Sequence, residues 1–169
     1  MNVVTIREAT REDAEQILAV HNQSWLTTYV NEQAGITSDD ILAQNSTRSV
    51  EKWREWLAPN PNKRIWVACV KDTIVGFCLA SQKEDRGAIN SIYLLEEHQR
   101  NGIGRQLIEH ALTWINAELP IYVDAVDYNE GAINFYMLHG FEHHSTSESF
   151  TMPTGKILKG KTLKRSPKK

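Results

Sequence analysis

The chain has 169 residues, is 41% hydrophobic and 24% charged, and carries a formal charge of −2. That length and apolar content fit one globular domain with a real core, and the charge excludes a general nucleic-acid binder, whose footprint is basic. No apolar run approaches the ~20 residues of a membrane helix and the first residues lack a signal-peptide layout, so a cytoplasmic protein away from membranes is expected.

In chain order, residues 3–8 read as a strand. Thr10 followed by Asp13 is a helix-start signature, with Ala14, Ile17, Leu18 and His21 continuing at helical spacing. Gly35 and then Thr37, Ser38, Asp39 and Asp40 start a second helical region. A further amphipathic piece carries Val50, Trp53, Trp56 and Leu57, and Pro59 and Pro61 end it. Residues 65–70 and 74–80 are apolar runs separated by Lys71, Asp72 and Thr73, which predicts an antiparallel hairpin. Cys69 and Cys78 fall inside these runs and read as reduced core thiols.

Residues 88–95 form the next predicted strand. A helix follows that presents Leu107, Ile108, Ala111, Leu112 and Ile115 on one face. Residues 121–126 are a strand and residues 130–139 a helix, which Gly140 suits as a left-handed cap. Residues 141–151 and 156–163 close the pattern. The predicted order is βααβββαβαββ, an α/β (α+β) domain with a mixed, mostly antiparallel twisted sheet of six to seven strands and helices on both faces. One domain is expected over residues 1–165. From Lys156 onward Lys159, Lys161, Lys164, Arg165, Lys168 and Lys169 meet no acidic residue, and residues 166–169 read as a basic, frayed end.

Two runs carry chemistry. Gln99, Arg100, Asn101, Gly102, Ile103 and Gly104 lie between a strand and a helix, with Arg105 next. Glycines there let backbone N–H groups approach a ligand, the helix end adds partial positive charge, and two arginines flank it, an arrangement suited to phosphate or pyrophosphate. The second run, residues 129–141, has the skeleton N-x-x-A-x-x-F-Y-x-x-x-G-F. Asn129 stands at a helix start, Ala132 leaves room for close passage, and Phe135 and Tyr136 point in different directions.

Together, Q-x-x-G-x-G after one strand and N-x-x-A-x-x-F-Y-x-x-x-G-F after the next resemble the GNAT superfamily of acyl-CoA-dependent N-acetyltransferases over residues 65–141. The resemblance implies acetyl-CoA as co-substrate and an amine acceptor, in a monomer or homodimer. Backbone N–H groups of Gln99 to Gly104 would hold the pyrophosphate. The backbone of Ile92, Tyr93 and Leu94 would pair with the pantetheine arm and polarise the thioester carbonyl. Asn129, with Ala132 and Phe135 beside it, would contact the coenzyme arm, and Tyr136 would protonate the leaving thiolate. Acyl transfer to an amine needs a neutral amine, a stabilised oxyanion and a protonated leaving group, and a tyrosine hydroxyl can supply the last.

The match stops at the base. Where many members carry a glutamate on the strand before the glycine motif, this chain has Ala88. Asn90, Ser91 and Tyr93 on the same strand and Glu96, Glu97 and His98 beyond it leave the base unassigned, between an ordered water chain and an amine that binds already neutral. The region after the first helix carries Ser24, Trp25, Thr28, Tyr29 and Glu32. Trp25 and Tyr29, with Asn90, are the candidates for the acceptor side, against the plain reading that the two aromatics pack on one helical face. His143 and His144 point to opposite faces of a strand, so no metal site is expected. Two rival readings stand beside the transferase: a coenzyme A-binding module without turnover, and a dinucleotide-dependent enzyme. The second meets Leu107 where its fingerprint needs a third glycine.

Overall fold

The computed structural model describes residues 3–168, apart from the Ser149 side chain. Strand β1 (Val4–Glu8) leads through a 3-10 turn at Arg11–Asp13 into α1 (Ala14–Tyr29). The Asp13 carboxylate accepts the Thr10 N–H at 2.7 Å, which closes the predicted capping box, and it takes a two-pronged bond from Arg7 at 2.7 and 2.8 Å. Arg7 thereby ties the helix start to β1 and holds the Asp13 carboxyl below its ordinary range. Thr37 and Asp40 repeat the device at α2 (Ser38–Asn45), and Ser49 caps α3 (Val50–Trp56).

The described residues thus hold three α-helices between the first two strands, where the predicted order allowed two. The turn at residues 46–49 breaks the run, and the Ser49 hydroxyl, accepting from the Lys52 N–H, starts a new axis. Trp53 is buried on α3, whereas Trp56, expected on the same buried face, is 39% exposed.

The chain continues through β2 (Lys63–Val70), β3 (Thr73–Gln82), β4 (Gly87–Leu94), α4 (Ile103–Trp114), β5 (Ile121–Val126), α5 (Glu130–Leu138), β6 (Glu142–Thr151) and β7 (Ile157–Arg165). These strands and β1 form one seven-stranded sheet in the order β1-β2-β3-β4-β5-β7-β6. Every neighbouring pair is antiparallel except β4 with β5. The β2–β3 hairpin turns where the sequence predicts, with Val70 opposite Thr73.

Both faces are covered. Helix α4 buries Ile103, Leu107, Ile108 and Ala111 against Ala68, Cys78, Ala80 and Val123, and α5 adds Ile133 and Tyr136 to that core. On the other face, Ile17 and Val20 of α1 and Trp53 of α3 pack on Val67, Phe77 and Leu79. A third cluster joins Trp25 and α2 to Met152 and Leu158 of the C-terminal hairpin. Burying each large aliphatic or aromatic side chain is worth about 1.5–3 kcal/mol, so these layers fix the sheet that positions the site. Among the described residues no helix is long and apolar enough to cross a membrane.

Candidate active site

The parallel pairing of β4 with β5 lasts only from Gly87 opposite Ile121 to Ile89 opposite Val123. Past it β4 runs on to Leu94 without a β5 partner, while β5 stays paired with β7 as far as Val126. A bulge marks the parting. Leu79 faces Ser91 but the next residue, Ala80, faces Ile89, so Asn90 is the extra residue on β4. A bulge raises local twist and re-aims the strand, and here it turns β4 away from β5. The β5-facing backbone edge of residues 90–94 is left without a strand partner.

The glycine motif follows directly. Arg100 and Gly102 take left-handed backbone, at φ 62 and φ 77. Gly102 is the N-cap of α4, where no side chain caps the helix. The N–H groups of Ile103, Gly104 and Arg105 precede the first helical acceptor turn and find no bonded acceptor among the described residues. A Cβ built on Gly102 meets nothing within 4 Å, so open space lies over this turn. The flanking side chains are arranged differently from the sequence expectation. Gln99 donates its Nε2 to the Leu94 carbonyl at 3.0 Å, fastening the loop to the end of β4, and Arg105 lies along the helix with its Nε 2.7 Å from Glu109.

Helix α5 packs its Phe135 ring over Gly104, 3.5 Å from where a Cβ would stand, and so joins the two sequence motifs in space. Asn129 caps α5 by accepting the Ala132 N–H at 3.2 Å. Gly140, at φ 84, ends the helix and delivers the buried Phe141, whose ring lies 5.7 Å from that of Tyr136. Tyr136 is only 5% exposed. Burial, with Cys78 and Tyr93 nearby, pushes its phenol well above the ordinary value, so it is protonated across the physiological range.

Across the gap, on the face of α1 and α3, a cavity of about 580 Å³ opens. Trp25, Tyr29 and Asn90 all line it, together with His21, Tyr93, Arg48, Trp53, Asp124, Glu148 and Phe150. Tyr136 does not line it, because its ring belongs to the α4–α5 core on the other face. The Tyr29 and Tyr93 hydroxyls are 3.1 Å apart, and the Tyr128 hydroxyl donates to the Tyr29 carbonyl at 2.7 Å. His21 is buried among Trp25, Trp53 and Tyr93. Burial and then the Arg48 charge lower its pKa to about 4, so the imidazole is neutral at pH 7.

Residues 19–141 match the sequence model of the acetyltransferase (GNAT) family. This chain belongs to the GNAT acetyltransferase family.

Relatives within it are N-acetyltransferases. The uncharacterized N-acetyltransferase YuaI of Bacillus subtilis (strain 168) is 37% identical over 112 residues, which span 63% of this chain and 61% of that protein. The peptidyl-lysine N-acetyltransferase YjaB of Escherichia coli (strain K12) is 29% identical over 147 residues, 86% of this chain and 87% of the relative. Among solved structures, the PaiA N-acetyltransferase of Thermoplasma acidophilum in complex with coenzyme A superposes with a TM-score of 0.81 at 19% identity, covering 97% of this chain and 99% of that one. That last likeness is one of fold.

Within this GNAT acetyltransferase, Ala88 lies before the strands part, opposite Ser81 and Tyr122; Ser81 lines the cavity, whereas Ala88 itself is not part of the lining. Glu96, Glu97 and His98 form a 3-10 turn outside the cavity. The carboxylates that do line it, Asp124 on β5 and Glu148 on β6, and the ring of His21 have no local sequence signal. They reach the site through strand order and through the fold of the C-terminal hairpin, which only the tertiary structure specifies.

Proposed function

We propose that the chain transfers an acetyl group from acetyl-CoA to a primary amine of a small molecule or peptide, by direct attack in a ternary complex with Tyr136 as general acid. The observation that carries this reading is the open gap between β4 and β5, with the uncapped turn of α4 and Tyr136 on one side and the acceptor cavity on the other. The solution of PaiA with coenzyme A and the naming of YjaB as a peptidyl-lysine N-acetyltransferase support an acyl-CoA donor and an amine acceptor.

The residues present fit the donor. The free N–H groups of residues 103–105, the left-handed backbone at Arg100 and Gly102 and the open space above them suit a pyrophosphate, with Gln99 and Asn101 shaping the loop and the charges of Arg100 and Arg105 nearby. The unpaired edge at Ile92, Tyr93 and Leu94 suits an amide-bearing arm that extends the sheet. Asn129, Ala132 and Phe135 stand on and at the start of α5, where Phe135 packs over Gly104 and the Asn129 side-chain N–H₂ remains for the arm once its oxygen has capped α5.

In this reading the amine nitrogen forms its bond to the acetyl carbon as the carbon–sulfur bond breaks. The Tyr136 hydroxyl gives its proton to the departing sulfur, and its raised pKa holds it in the donor form. The amine's proton passes to the cavity's carboxylates, Asp124 or Glu148, or through water to solvent. Trp25, Tyr29 and Asn90 wall the amine's path to the gap.

The test is a thiol-release assay with acetyl-CoA and a panel of polyamines, amino acids, aminoglycosides and peptides. Amine-dependent release with matching acetylated product is expected. Tight acetyl-CoA binding without turnover on any amine would leave a coenzyme A-binding module, and hydride chemistry with NAD(P)H would leave a dinucleotide enzyme.

A further inference from the structure

Arg48 lies in the turn between α2 and α3 and lines the acceptor cavity, half-buried. Its guanidinium carbon stands 5.8 Å from the ring centre of Trp25 and 5.6 Å from that of Trp56. Among the described residues no carboxylate comes within ion-pair distance of it, and its Nε is buried without a hydrogen-bond partner. A cation taken out of water is costly unless paired, and two indole faces return only part of that cost. The rings nevertheless hold the guanidinium in place, and its planar fork of donors matches a carboxylate in both geometry and charge.

The sheet side of the same cavity carries both carboxylates of the lining, together with Lys63 and Lys159. Asp124 and Glu148 line it there, and Asp124 keeps its carboxylate in place by accepting the Thr162 hydroxyl at 2.5 Å. Neither carboxylate is within ion-pair distance of Lys63 or Lys159, the other cations on the wall. One cavity therefore offers a fixed cation on its helical side and the Asp124 carboxylate beside the β4–β5 gap, with Trp25 and Phe150 in ring contact with each other on its wall. That polarity is complementary to a molecule carrying an amine at one end and a carboxylate at the other.

We infer that Arg48 receives the carboxylate of the acceptor, which makes the acceptor class a free amino acid. The inference rests on the acetyl-transfer reading of this cavity. The guanidinium seats the carboxylate under Trp25 and Trp56, and the amine is directed to Asn90, Asp124 and the gap where acetyl transfer takes place.

The experiment compares kcat/KM for free amino acids, each paired with its amide and with its decarboxylated amine, in wild type, Arg48→Gln and Arg48→Lys. Wild type should favour the acid over its amide by about 10- to 100-fold, the worth of a charge-assisted hydrogen-bonded pair. Arg48→Gln should collapse that ratio mainly through KM for the acid, and Arg48→Lys, which keeps charge but loses the fork, should fall between. Should Arg48→Gln not fold, Arg48→Lys still reads the ratio. A ratio unchanged by substitution, or a wild type that prefers the amide or the plain amine, overturns the inference. A calorimetric titration with N-acetylphenylalanine, which has the carboxylate and no reactive amine, separates the two readings. Binding weakened by Arg48→Gln with no turnover on any amine would sink acetyl transfer and keep the Arg48 site; absent or Arg48-independent binding would sink the Arg48 site itself.

Discussion

Tyr29 at the end of α1 and Tyr93 on the free stretch of β4 meet hydroxyl to hydroxyl at 3.1 Å. This contact fastens α1, which lines the cavity, to the strand segment that has left β5. Burial pushes both phenols above their ordinary value, so both act as neutral hydrogen-bonding groups at physiological pH. Tyr29→Phe or Tyr93→Phe leaves the other hydroxyl short of a partner and should cost about 1–2 kcal/mol. The double variant should cost less than the two singles summed, because the pair is one interaction. Chemical denaturation of the three variants checks this, and strict additivity would mean the contact contributes nothing.

His21 predicts a pH dependence of stability. Its imidazole is neutral in the folded chain down to about pH 4, whereas in the unfolded chain it takes up a proton near 6.5. Between those values the unfolded state binds the extra proton, so stability is fully present above 6.5 and falls as pH drops toward 4. At about 1.4 kcal/mol per pH unit, the loss across that window is on the order of 3 kcal/mol. Urea unfolding at pH 7.5, 6 and 5 should show the slope, and His21→Gln should flatten it. The Arg7–Asp13 pair does not interfere, since the lowered Asp13 carboxyl gives up its contribution only as pH falls below its ordinary 3.8.

Gly102 tests the donor turn. With φ 77 and nothing within 4 Å of an added methyl, Gly102→Ala adds strain without a clash. A left-handed non-glycine residue costs roughly 1–2 kcal/mol, and relaxing it would rotate the N–H groups of α4 away from their common focus. The expected outcome is a raised KM for acetyl-CoA with the acceptor KM unchanged, read from two-substrate kinetics. A change confined to the acceptor term would place the donor elsewhere.

Much of this architecture is legible in the chain itself. Alternation and turn residues mark the β2–β3 hairpin and the closing strands, the helical spacing from Leu107 to Ile115 marks α4, and the capping pairs Thr10–Asp13 and Thr37–Asp40 mark helix starts that the structure reproduces. These signals are local, a few residues apart. The amphipathic piece from Val50 to Leu57 is visible in the pattern, but the predicted order counts it with its neighbour, because the cap that divides them is a lone serine in a polar turn. Arg48 and His21 carry no sign of being site residues, since an arginine in a turn and a histidine on a helix face look ordinary until α1, α3 and the β6–β7 hairpin enclose them. The departure of β4 from β5 is implied by the family resemblance alone; its physical cause, the bulge at Asn90, depends on register between strands and has no signature along one strand.

We propose that acetyl transfer takes place at the β4–β5 gap with Tyr136 as proton donor. Its most direct test is the Tyr136→Phe variant, assayed for thiol release on the best amine of the panel alongside calorimetric affinity for coenzyme A. Burial and nearby groups, with no hydrogen bond, set the state of this hydroxyl, so its loss should leave folding and coenzyme affinity essentially intact. Loss of a positioned general acid should lower kcat by roughly 100-fold or more. An unchanged kcat with intact coenzyme binding would rule out Tyr136 as the proton donor.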